Sequence, residues 1–194
     1  MATRGLTSSQ TVGPFFHDCL LREGAWSDAL ADGRTPGTLI RVSGVVLDGD
    51  GEPVPDAVLE VWQADSTGRF SRDAASGFTG FSRIGTDDAG RFSFTTVRPG
   101  SVTGSDGGQH APHISMAIFA RGLMNHLHTR IYFDGDPANP NDPVLRRVPE
   151  HRRSTLIARA DASPDDDATQ QLRFDIVLQG EGETVFFDFK APGR

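Results

Sequence analysis

Hydrophobic residues recur at every second position along much of this chain, in short runs closed by glycine, proline, asparagine and aspartate. That period belongs to strands with one buried face. Leu39–Leu47 is the first predicted strand, followed by the turn chemistry of Asp48-Gly49-Asp50-Gly51-Glu52-Pro53. Ala57–Gln63 returns, with Val58, Glu60 and Trp62 alternating against Leu59 and Val61. Asp87-Asp88-Ala89-Gly90 turns into Arg91–Val97, where Phe92, Phe94 and Thr96 share a face. Two further runs, His113–Ala120 and His126–Phe133, are joined by Arg121-Gly122-Leu123-Met124-Asn125. Leu156–Ala160, Leu172–Gln179 and Thr184–Phe189 complete the set, the last two flanking the turn Gln179-Gly180-Glu181-Gly182-Glu183.

Between these strands lie long connections. Ala64–Gly80 and Arg98–Gln109 are rich in glycine and serine. Asp134–Arg153 is rich in proline, asparagine and aspartate, with room for a short helix around Val144–Val148. Ser163–Asp167 is an acidic, solvated turn. Helical periodicity is almost absent. The pattern predicts an all-β fold: a β-sandwich of mainly antiparallel strands with long loops. Residues 1–36 show little regular pattern and form an extended N-terminal arm ahead of a domain spanning 37–194. Within the arm, Gly13-Pro14 fixes an extended or turning backbone, and Phe15-Phe16 needs a surface to rest on, either its own domain or a partner chain.

Composition narrows the function. At 194 residues, one domain can bury a good core without disulfides or metal. A net charge of −7, with basic residues scattered apart from Arg146-Arg147 and Arg152-Arg153, argues against nucleic acid as a partner. Cys19 is the sole cysteine, which excludes an internal disulfide and a thiolate cluster. No apolar run approaches membrane length, so no membrane association and a cytoplasmic location are expected.

The chemistry concentrates in Gln109–Asp136, which holds four of the six histidines and the only tyrosine. Alternation places His126, His128, Arg130 and Tyr132 on one strand face, an unusual set for a packed core. The face lines a polar site or lies at an interface. His113, His126 and His128 could supply imidazoles to a metal, or could each be satisfied by hydrogen bonds; spacing alone leaves both open. Asp48-Gly49-Asp50-Gly51 lacks the later ligands of a calcium loop, and no G-x-S-x-G elbow is present.

Several segments, in order, resemble the intradiol ring-cleavage dioxygenases: Ser9-Gln10-Thr11-Val12-Gly13-Pro14, Leu59-Glu60-Val61-Trp62-Gln63-Ala64-Asp65, Ala111-Pro112-His113-Ile114-Ser115, His126–Phe133 and Gln179–Phe189. The resemblance covers about Ser8 to Lys190. It implies iron-dependent cleavage of a catechol by O2, with Fe(III) held by two tyrosinates and two histidines. Phenolates are hard anionic donors that suit the ferric ion. This sequence departs from that pattern. The four positions at which the family places its ligands are Phe70, Val102, His113 and Ser115, and Tyr132 is the only tyrosine available. The resemblance therefore implies an iron-free subunit, inactive alone, whose homologous beta subunit binds the Fe(III), with protocatechuate and O2 as substrates. It further implies that Thr11, Gly13 and Pro14 line the partner's substrate pocket, and that Arg130 meets the substrate carboxylate or else an internal charge. On this reading no catalytic residue and no metal ligand lies in this chain. A metal-free β-sandwich binding module and a self-sufficient histidine-metal enzyme are the alternatives.

Overall fold

The computed structural model describes residues 7–22, 27–70, 77–104, 107–161 and 169–188. Among the described residues eleven strands carry the fold: β1 (Leu39–Leu47), β2 (Val58–Gln63), β3 (Phe81–Gly85), β4 (Arg91–Val97), β5 (Val102–Thr103), β6 (Gln109–His110), β7 (His113–Phe119), β8 (Leu127–Phe133), β9 (Ile157–Ala160), β10 (Gln170–Arg173) and β11 (Ile176–Val177). Among the described residues one α-helix, α1 (Pro14–Leu20), precedes them, and three short 3-10 helices, Asn139–Asn141, Leu145–Arg147 and Glu150–Leu156, lie between β8 and β9.

Nine strands form one sheet, and β5 and β6 make a small hairpin of their own. β4 pairs with β1, which pairs on its other side with β10 and β11. The path continues through β9, β8, β7 and β2 to β3. Its two ends, β3 and β4, are joined by the turn at 86–90 and lie against each other, so the sheet nearly closes on itself. Among the described residues six ladders are antiparallel and three parallel. The sheet is thus mixed: β10 and β11 run parallel to β1, and β9 runs parallel to β8.

The core is what the alternation dictates. Ile40, Val42 and Val46 of β1, Leu59 and Val61 of β2, Phe92 and Phe94 of β4, Ile114, Met116 and Ile118 of β7, and Ile131 and Phe133 of β8 form one buried cluster. Fully burying each such side chain stabilises the fold by roughly 1.5–3 kcal/mol. Gly44 interrupts β1 for a packing reason. A Cβ there would sit 1.8 Å from the carbonyl oxygen of Phe174 and 2.8 Å from the Phe92 ring.

The sequence reading needs amendment in several places. The expected strand Leu172–Gln179 is broken. Phe174 and Asp175 separate β10 from β11, although Phe174 N–H still donates to Ser43 O (2.8 Å) and the Asp175 carboxylate accepts from Val45 N–H (2.9 Å). Thr184–Phe189 is not a strand over its described part. It is an extended segment tied by single bonds, such as Phe187 N–H to His128 O at 2.8 Å. Phe189 and the acidic turn Ser163–Asp167 lie outside the described residues. The arm is not extended throughout, because Pro14 at the first helical position starts α1. Phe16 rests on Phe119 with ring centroids 5.2 Å apart, and the Thr11 hydroxyl accepts Gly122 N–H at 2.8 Å. Farther along, Leu30 and Ala31 are buried, and Leu30 N–H donates to Thr95 O of β4 at 2.8 Å. Among the described residues no helix is long and apolar enough to cross a membrane.

Candidate functional site

The outer face of β3, β2, β7 and β8 is built in cross-strand rows. One row is Phe81–Trp62–Ser115–Arg130; the next is Arg83–Glu60–Ala117–His128. On the other side of the first row, His113 pairs with Tyr132. Residues opposite each other in such rows have their side chains in contact range. Trp62 stacks on Phe70 at 5.7 Å and 8° and tilts against Phe81 at 6.1 Å. Phe70 itself is 51% exposed.

Beside Arg130 the small hairpin β5–β6 brings in His110, which pairs with Val102. Register thus gathers Phe70, Val102, His113 and Ser115 around one surface: Phe70 through Trp62, Val102 through His110, the other two on β7. What fills that surface is a hydrogen-bonded network. The Tyr132 hydroxyl donates to Asp142 Oδ1 at 2.9 Å. The same carboxylate accepts N–H bonds from Ala111 (2.9 Å), Val144 (2.9 Å) and Leu145 (2.7 Å), and His110 Nδ1 lies 3.5 Å from Oδ2. Arg130 Nη1 lies 3.3 Å from His110 Nδ1 and 3.4 Å from the Tyr132 oxygen. Its Nε is buried without a hydrogen-bond partner.

The electrostatics follow from this packing. Burial works against the Asp142 carboxylate, but the donors from Leu145, Tyr132, Ala111 and Val144 outweigh it and hold its pKa below the ordinary value. Burial pushes the Tyr132 phenol well above its ordinary range, so it stays protonated at neutral pH. Burial, then the Arg130 charge, lowers His113 to about 4, against a contact of its Nδ1 with Ala111 O at 2.8 Å. His113 is therefore a neutral, buried imidazole at neutral pH.

These donors do not fit a ferric ion held by two tyrosinates and two histidines. Phe70 and Val102 have no lone pair to give, Tyr132 keeps its proton for Asp142, and Ser115 is a weak neutral donor. The three-imidazole alternative is also not assembled. His128 faces Ala117, four residues along β7 from His113, or about 13 Å at strand rise. His126 and His128 instead meet edge to face at 4.6 Å, and His126 stacks on Phe119 at 5.1 Å. Among the described residues no three His, Cys, Asp or Glu side chains are grouped to hold a metal.

The proposed substrate contacts fall into two places. Thr11 and Gly13 are exposed beside the β7–β8 hairpin tip, with Pro14 next in chain at the start of α1. Arg130 lies inside this chain's own network, several residues down the same ladder. Sequence reasoning missed Asp142 and His110. Asp142 stands alone in a proline- and asparagine-rich stretch, and only the fold shows that it meets Ala111 and Tyr132.

Comparison with known proteins places this architecture. The family model described as Dioxygenase (Dioxygenase_C) matches residues 13–180, and the chain belongs to the intradiol dioxygenases, an iron-dependent family. Within it, the chain is 44% identical over 202 aligned residues to the protocatechuate 3,4-dioxygenase alpha chain of Burkholderia cepacia, covering 97% of this chain and 100% of that one. It is 34% identical to the beta chain from the same organism, over 91% of this chain and 77% of that one. Among solved structures, catechol 1,2-dioxygenase from Pseudomonas arvilla C-1 superposes with a TM-score of 0.63 at 28% identity, over 78% of this chain and 55% of that one.

Proposed function

We propose that this chain is the iron-free alpha subunit of a heteromeric protocatechuate 3,4-dioxygenase, which converts protocatechuate and O2 to 3-carboxy-cis,cis-muconate in the cytosol. The observation that carries the reading is end-to-end similarity to an alpha chain, stronger than the similarity to the beta chain. The donor set around Arg130 supports it, because a ferric ion bound by tyrosinates needs another chain to supply them. On this reading the homologous beta subunit binds the Fe(III), and the sheet seen here is one β-sandwich of the assembly.

In this reading residues 1–36 act as an arm reaching toward the partner and 37–194 as the domain. Thr11, Gly13 and Pro14 line the partner's pocket. The chemistry of each suits that task. A Cβ added at Gly13 would meet nothing within 4 Å in this chain, so the backbone there is open to a neighbour. The exposed Thr11 hydroxyl accepts Gly122 N–H, and its own proton makes only a long 3.5 Å contact to Val12 O, which a partner's acceptor can replace. Pro14 fixes the turn from arm into α1. Arg130 is assigned to a carboxylate.

The test is co-expression with the homologous beta subunit. Turnover of protocatechuate by the pair, and none by this chain alone, is the expected outcome. A stable chain that engages no such partner would instead be the metal-free binding module.

A further inference from the structure

Beyond the two rows already described, the outer face of the sheet carries a third, Gly85–Val58–Phe119 across β3, β2 and β7. Helix α1 lies along it. The Phe16 ring sits on the Phe119 ring with centroids 5.2 Å apart. At the other end His17 and Leu21 rest on Gly85, where an added Cβ would come within 2.4 Å of Leu21 Cδ1 and 3.0 Å of His17 Nε2. The ends of the row are two strand spacings apart, about 10 Å, and Phe16 to Leu21 rises about 7.5 Å along a helix, so α1 spans most of the row. His126 extends the floor by stacking on Phe119 at 5.1 Å and 26°.

This seat fixes α1. Seven residues are too few for a helix to hold its shape alone in water, and α1 has neither a side-chain N-cap nor an acidic residue in its first turn. Its position therefore comes from tertiary contacts. Ahead of it the Thr11 hydroxyl accepts Gly122 N–H at 2.8 Å. Between these two anchors the chain is not packed flush. A cavity of about 260 Å³ lies between Ser9, Gln10 and Val12 of the arm and Leu123, Met124 and Asn125 of the hairpin tip. A Cβ added at Gly13 meets nothing within 4 Å, and Phe15 is 77% exposed. The stretch from Thr11 to Phe16 is thus slung between two supports, with Gly13 and Phe15 left uncovered.

We infer that, given the subunit reading in which Thr11, Gly13 and Pro14 line the partner's pocket, Phe119 with His126 behind it and Gly85 at the far end of the row are the residues that position the arm for the partner's chemistry. They are positioning residues and act through α1, whose tilt sets where the turn at Thr11–Pro14 projects. A misplacement of about 1 Å in such a pocket wall is enough to cost up to about 100-fold in rate.

A double-mutant cycle on the complex with the homologous beta subunit, read as kcat/KM for protocatechuate, tests this. Phe119→Leu keeps apolar bulk but removes the ring face. It should lower kcat/KM roughly five- to tenfold, and Phe119→Tyr should restore it. On a Thr11→Ala background the same change should cost less than about twofold, because its effect runs through the arm. A merely structural role would cost the same on both backgrounds. A fluorophore on Cys19, the chain's sole and exposed thiol within α1, should lose anisotropy in Phe119→Leu and keep it in Phe119→Tyr. Should Phe119→Leu not fold, Gly85→Ala, which pushes a methyl against Leu21 and His17, should show the same coupling to Thr11→Ala. Unchanged kcat/KM in a folded variant, or an equal cost on both backgrounds, would overturn the inference while leaving the subunit reading intact. Absence of turnover by the wild-type pair would instead overturn that reading, and the positioning role with it.

Discussion

Asp142 holds the pocket together. Four donors converge on one fully buried carboxylate; the Tyr132 hydroxyl comes from β8 and Ala111 N–H from the link between β6 and β7. Asp142→Ala should destabilise the chain by about 3–5 kcal/mol, because it strands several buried donors; chemical denaturation measures this directly. His113 supplies the pH signature. Its folded-state pKa, about 4, lies below the ordinary 6.5. Between those values the unfolded chain binds a proton that the folded chain does not, so stability falls as pH drops from 6.5 toward 4. The loss should approach about 3 kcal/mol across that window, and His113→Gln should remove this part of the slope. Arg130→Ala should raise KM for protocatechuate more than for catechol in the assembled enzyme. Equal effects on both substrates would make Arg130 an internal charge only. At this scale the sequence was partly legible. The face of His128, Arg130 and Tyr132 follows from period-two alternation, whereas Asp142 makes contacts set by three-dimensional closure and leaves no periodic trace.

The elements were legible wherever inward positions are apolar. Leu39–Leu47 and Arg91–Val97 match β1 and β4 end to end. β3 was missed for a physical reason. Its inward residues are Ser82 and Ile84 while Phe81 points outward, so alternation shows no apolar face. The small hairpin of β5 and β6 sits in a glycine-rich stretch with no hydrophobic pattern at all. α1 spans seven residues, too short for helical periodicity, although Pro14 at its first position is a start signal. The close approach of β1 to the β10–β11 break yields a prediction at the same scale. Gly44→Ala would drive a methyl into the Phe174 carbonyl, and should cost roughly 2–4 kcal/mol or split β11 from the sheet. Hydrogen exchange at Phe174 and Leu178, whose N–H groups donate to Ser43 O and Leu47 O of β1, would show the split as lost protection.

For the whole molecule, the nearly closed mixed sheet places two chemically different surfaces at different points of one ladder. The hairpin tip carries the arm, with Phe15 77% and Met124 55% exposed beside it. Deeper in the ladder lies the Arg130 network. In the proposed assembly the first surface serves the partner's chemistry. Thr11→Ala should therefore lower kcat/KM of the complex by roughly tenfold while leaving stability within about 0.5 kcal/mol, since Thr11 is exposed. The central claim, a subunit that shapes the reaction without holding the iron, is tested most directly by metal analysis of each chain from the co-expressed complex, alongside turnover by this chain alone. Stoichiometric iron on the partner, with none on this chain and no turnover from it, is the predicted result. Iron bound to this chain in isolation, with protocatechuate cleavage, would contradict it.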